Sequence, residues 1–175
     1  MSAVYAAATM LAFAFLLCRV AHDASVTRGV ALASPGTWPI AAAMIGLAVW
    51  FEAGTPAALA ATGICVAALV DARCGYIFDP LVALAAGAAV LATFPSPPIG
   101  ALAGIGATTL SLYLVRQVAG EHALGLGDVK LAAVVGAGLG PWLGLAALGT
   151  GFILGAAAGI ALMAMHRARS KDRLR

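Results

Sequence analysis

TWPIAAAMIGLAVWFEAGTPAALAATGICVAALV, residues 37–70, is a nearly uninterrupted apolar run of 34 residues whose one charge is Glu52. At about 1.5 Å per residue, a single helix of that length would far exceed a hydrocarbon core about 30 Å thick. The segment Glu52-Ala53-Gly54-Thr55-Pro56 divides it, since Gly and Pro beside polar residues favour a turn. Two membrane helices therefore follow. Residues 131–165 pose the same problem, and Gly138-Leu139-Gly140-Pro141-Trp142 supplies turn chemistry and an interfacial aromatic.

Composition extends this reading to the whole chain. Of its 175 residues 63% are hydrophobic and 10% charged, with a mean hydropathy of +1.02. A soluble domain is about 45–50% apolar and about 25% charged, so too few charges are present to cover a water-soluble fold. The expected fold is all-α: a polytopic membrane protein of six to seven transmembrane helices. Candidate spans lie near 3–20, 34–51, 56–71, 80–94, 98–115, 128–140 and 143–165. The apolar N-terminal stretch lacks a preceding basic residue, unlike a secretory signal, and reads as a retained first helix. Residues 1–166 form one transmembrane domain, and 167–175 form a basic tail.

The charges set an orientation. With seven spans, Arg19, Arg28, Arg73, Arg116, Lys130 and the five tail cations all face one side. Because cytoplasmic loops are enriched in Lys and Arg, the N-terminus is expected outside and the C-terminus in the cytoplasm. The net charge of +3 comes from the tail, which suits an anionic membrane surface and not a nucleic acid. Cys18, Cys65 and Cys74 contain no CxxC pair, so neither a disulfide framework nor a zinc site is implied. Glycines at short intervals, as in Gly100 to Gly104 and Gly151 to Gly155, are expected to let helices approach closely.

Acidic residues beside apolar spans are functional candidates. Asp71 ends the third span and Asp128 opens the sixth, both at the cytoplasmic boundary. Two carboxylates brought together can divide one proton, one deprotonating a water while the other protonates the carbonyl oxygen or leaving amine. Gly125 and Gly127 remove side-chain bulk beside Asp128, which allows an extended substrate backbone to come close. The residues alone also admit a structural reading, in which Asp71 pairs with Arg73 or Lys130 and Asp128 caps a helix. Glu121 could meet a basic substrate segment or orient its loop. Lys130, if it reaches the site, would hold one carboxylate ionised. Asp79 is expected as an N-cap with Pro80 at the first helical position.

The segment Gly120-Glu121-His122-Ala123-Leu124-Gly125-Leu126-Gly127-Asp128-Val129-Lys130-Leu131 resembles the GxGD segment of bacterial prepilin leader peptidases, membrane aspartic proteases of the type IV prepilin peptidase family. Ala68-Leu69-Val70-Asp71-Ala72-Arg73, followed by Ile77-Phe78-Asp79-Pro80, is similar to the family's first-aspartate segment. The resemblance implies Asp71 and Asp128 as the catalytic pair, and supporting or substrate-binding roles for Gly125, Gly127, Lys130 and Glu121. It also implies removal of the basic leader from prepilins or pseudopilins at the cytoplasmic face of the inner membrane, with no metal or other cofactor. Asp79-Pro80 reverses the family's Pro-Asp order. The cysteine pairs that accompany N-methylation in larger members have no counterpart here, so the resemblance is to the short, peptidase-only Flp/Tad form. Two other classes compete: a small transporter or proton relay, and a non-catalytic pilus-assembly scaffold. Spans 1, 2, 4, 5 and 7 carry no charge away from their ends, which argues against transport, and an intact GxGD argues against a lineage that lost activity.

Overall fold

The computed structural model describes residues 3–27, 38–74, 76–120 and 124–172, and among them every regular element is a helix. There are five: α1 (Ala3–Thr27), α2 (Trp38–Cys74), α3 (Asp79–Leu91), α4 (Ile99–Ala119) and α5 (Leu126–Asp172). Four of them, α3 excepted, are long and apolar enough to cross a membrane. The chain is thus a multi-pass membrane protein by helix length and composition. Glu121, the 28–37 connection and the side chains of the basic tail lie outside the described residues.

The two longest helices are each broken at one glycine. Gly54 has φ 80° and ψ −177°, and Gly140 has φ 73° and ψ −175°, a region in which only glycine is comfortable. Both fall within the turn segments expected from sequence, and each is followed closely by a proline, Pro56 or Pro141. The chain folds back at both. In a straight helix Gly46 and Thr62 would stand roughly 24 Å apart, yet a Cβ on Gly46 would overlap the Thr62 hydroxyl. Likewise Asp128 and Gly155 would be separated by roughly 40 Å, and instead they line one cavity.

Small residues hold the limbs together. In lipid, helices gain nothing from hiding apolar surface from water and associate by close packing and interhelical hydrogen bonds. The α4/α5 crossing shows this most directly: a Cβ on Gly104 or on Gly136 would overlap the other's carbonyl oxygen. Thr108, fully buried, donates its hydroxyl to Ala132 O on α5 at 2.7 Å. Gly63 stands over Ala85, and Gly138 over Ala60, joining α2 to α3 and α5. Of the glycines expected to make close contacts, Gly104 does. Gly100, Gly151 and Gly155 face open space among the described residues.

The main core joins α1, α2 and α3 through Met10, Leu17, Leu59, Val66, Val70, Phe78 and Leu81. A second cluster links α3 to α2 and α5 through Ala60, Val82, Ala85, Val134 and Ala137. This arrangement brings the last turn of α2, the first turn of α3 and the first turn of α5 to the same end of the bundle. The carboxylates of interest sit there.

Candidate active site

Asp71 lies in the last turn of α2, with α2 held in register by buried Val66, Ala67 and Val70 on its inner face. The chain then runs through an extended stretch, Tyr76-Ile77-Phe78. Phe78 is 1% exposed and acts as the N-cap of α3, its carbonyl accepting from the Leu81 and Val82 N–H groups at 3.1 and 3.3 Å. This corrects the expectation that Asp79 caps α3. Burial of the Phe78 ring in the α1/α2/α3 core starts the helix one residue earlier, so Asp79 is its first residue and Pro80 its second. The Asp79 carboxylate, in the first turn where negative charge suits the helix dipole, is then available to another partner.

That partner is Lys130, whose ammonium donates to Asp79 Oδ1 at 2.5 Å. The pair ties the start of α3 to the first turns of α5. Lys130 therefore neutralises Asp79 rather than Asp71, one of the two pairings that the structural reading of the sequence considered; the side chain of the other, Arg73, lies outside the described residues.

Asp128 is the third residue of α5 and is exposed. Its Oδ2 accepts the Gly125 N–H at 3.2 Å, which closes Gly125-Leu126-Gly127-Asp128 into a compact turn. One part of the capping role considered for it is thus realised, and its Oδ1 has no hydrogen-bond partner among the described residues. Asp71, also exposed, has no hydrogen bond or ion pair among the described residues. Both carboxylates, with Tyr76, Ile77, Gly125, Gly127 and Lys130, line a single cavity of about 450 Å³. Polar surface of this kind, open to water and holding two carboxylates from different helices, has the parts needed to activate a water and protonate a leaving group.

The two glycines are used differently. A Cβ on Gly127 would come within 3.1 Å of Ile77 Cδ1, so Gly127 allows the α2/α3 connection to lie on the turn that carries Asp128. Space beside Gly125 is freer, the Asp128 carboxylate being 3.5 Å from where a Cβ would stand.

Three contributors escaped the sequence reading. Ile77 has no chemical signature, and only its contact with Gly127 reveals its part. Arg116, in the last turn of α4, reads in the sequence as a topological charge, whereas its guanidinium donates to Leu124 O at 3.0 Å and anchors the segment leading into the GLGD turn. The Asp79/Lys130 pair joins residues far apart in the chain, and only opposite charge in two candidate loops hinted at it.

Comparison with known proteins adds lineage to this geometry. The model of the type IV leader peptidase family matches residues 58–160, which include both aspartates. Two curated relatives, both named prepilin leader peptidase/N-methyltransferase and from Burkholderia pseudomallei strains 1026b and K96243, are each 37% identical to the chain over 128 residues. The aligned region is 66% of this chain and 40% of theirs, so the chain spans well under half the length of the relatives it matches. No solved structure matches it.

Proposed function

The chain belongs to the type IV leader peptidase family, and from that premise we propose that it is a membrane aspartic endopeptidase that removes the leader peptide from prepilins or pseudopilins. One observation carries the reading: Asp71 and Asp128, from two different helices, line one open cavity together with Gly125 and Gly127.

In the proposed reaction, a water in that cavity attacks the scissile carbonyl as one aspartate takes its proton. The other aspartate protonates the carbonyl oxygen, and collapse of the tetrahedral intermediate passes a proton to the departing amine. No covalent enzyme intermediate forms. Gly125 keeps a side chain clear of the substrate backbone, and Gly127 makes room for Ile77 at the cavity wall. Lys130, paired with Asp79, holds the start of α3 against α5 at the cavity wall, and Glu121 is proposed to attract a basic leader. Cleavage is the part of the relatives' name that two aspartates can account for, and methyl transfer is not assigned to this chain.

The topology proposed with it has seven crossings, α2 and α5 each passing twice through their turns at Gly54 and Gly140. Residues 1–166 then form the transmembrane domain and 167–175 a cytoplasmic tail, with the N-terminus outside. All ten basic residues face the cytoplasm, and the aspartates open to the cytoplasmic side of the inner membrane.

Incubating the purified protein with a full-length prepilin should give a mass loss equal to the leader. Asp71→Ala and Asp128→Ala should abolish that loss while the protein remains in the membrane fraction. Full cleavage by either variant would sink the assignment. A rate that does not change between about pH 4 and pH 9 would count against a proton shared by two carboxylates.

A further inference from the structure

Asp128 lines a second cavity as well as the first. This one, about 490 Å³, lies between α4 and the two limbs of α5, and among the described residues Asp128 is its one charged lining residue. Its walls are otherwise apolar, formed by Leu112 on α4, Leu131 on the first limb of α5, and Leu148, Gly151, Phe152 and Gly155 on the second. The two cavities therefore meet at a single carboxylate, one side lined by Asp71 and Lys130 and the other by hydrocarbon.

Building on the peptidase reading above, we propose that this apolar cleft docks an apolar helical segment of the substrate, with the scissile bond at its Asp128 end. Continuity is the first reason. A chain that lies in the cleft and passes Asp128 enters the polar cavity at once, so the occupant must change from apolar to polar at the bond to be cut. A peptide does this along one backbone. Charge is the second reason: beyond the junction Lys130 is paired with Asp79, which leaves the Asp71 and Asp128 carboxylates to complement a cationic segment, whereas an acyl chain ending at Asp128 would meet a carboxylate with nothing to offer it.

The cleft wall also has the form of a helix-docking face. Gly151 and Gly155 are one turn apart on it, and a Cβ built on either meets nothing within 4 Å among the described residues. Paired glycines of this kind let a second helix backbone come close, as Gly104 and Gly136 do inside the bundle. The same limb is poorly covered by the rest of the chain, the most apolar stretch of α5 being 6% buried. A volume of this size is in the range of about 300–1,000 Å³ typical of ligand clefts, and it holds the side chains of one or two helical turns.

The test uses the whole protein in proteoliposomes with a full-length prepilin. Because Gly151 and Gly155 have room around them, Gly151→Leu and Gly155→Leu should fold normally and fill the cleft. The expected result is a KM raised about tenfold or more with kcat nearly unchanged, as for lost ground-state binding in an apolar pocket. Gly149→Leu, on the same limb outside the cleft, should behave as wild type. In the Asp128→Ala background, a photo-reactive benzoylphenylalanine in place of Phe152 should yield an adduct with the mass of enzyme plus prepilin. An unchanged KM in the glycine variants, or adducts with lipid or with a second copy of the enzyme alone, would overturn the docking inference and leave the peptidase reading intact. Failure of the wild-type protein to cleave any prepilin would instead remove the reading on which it rests.

Discussion

Both long helices, α2 and α5, turn back at a glycine of positive φ and carry one aspartate near the end that reaches the polar cavity. Their surroundings differ. Half of the most apolar stretch of α2 is buried, against 6% for α5, because α2 lies between α1, α3 and α5 whereas the second limb of α5 leans on its own first limb and α4. Asp71 is thus presented by a helix locked into the core. Asp128 is presented by a short glycine turn at the foot of the first limb of α5, whose Ala132, Val134 and Ala137 are buried, and the second limb beside it leaves a side free. One carboxylate has a fixed platform, and the other stands where a membrane-borne chain can approach.

The largest effect expected from breaking this comparison falls on the aspartates themselves. Asp71→Asn and Asp128→Asn should each lower kcat by about a thousandfold or more, about 4 kcal/mol of barrier, since neither amide can exchange the proton. If the two sides of the cavity act as one unit, the double variant should be little worse than either single one, which single-turnover cleavage would read directly.

Stability should separate the two helices next. Gly63→Val on α2 would drive a side chain into Ala85 and should cost about 3 kcal/mol of stability. Gly149→Val on α5, with open space around it, should cost under about 1 kcal/mol. Thermal unfolding in detergent checks the difference, and equal losses would contradict the picture of one covered and one open helix. The turns should respond alike: Gly54→Ala and Gly140→Ala each place a Cβ where the backbone excludes it, for about 2 kcal/mol apiece.

The smallest effect expected is at the link between α3 and α5. Asp79 and Lys130 are each about half exposed, so a double-mutant cycle with Asp79→Asn and Lys130→Ala should give a coupling below about 1 kcal/mol, falling further in high salt. A larger coupling in cleavage rate than in stability would sharpen the role of Lys130 at the cavity.

Much of this was legible in the chain. Hydrophobicity without interruption indicated membrane helices, and Gly54 and Gly140 were flagged because an apolar run too long for one bilayer crossing has to turn where glycine and proline permit. The two aspartates stood out because a carboxylate beside an apolar span is costly and rarely idle. The N-cap of α3 was misread by one residue, since local propensity favours Asp79 and the burial of Phe78, a tertiary effect, moved the start. The anchoring of Leu124 by Arg116 and the contact of Ile77 with Gly127 carried no signal, and the Asp79/Lys130 pair no more than opposite charge, because each joins segments whose proximity depends on how whole helices pack.

What the sequence determined by itself is the helical membrane character, the two turns and the identity of the candidate acids, all consequences of side-chain solubility and local backbone freedom. Tertiary structure alone decided that Asp71 and Asp128 share one cavity, that Lys130 is committed to Asp79, and that Asp128 also borders an apolar cleft. Those facts depend on which small residues meet across helices, above all Gly104 against Gly136 and Gly63 against Ala85. In lipid that choice is made by the fit of one surface to another, which no single stretch of chain contains.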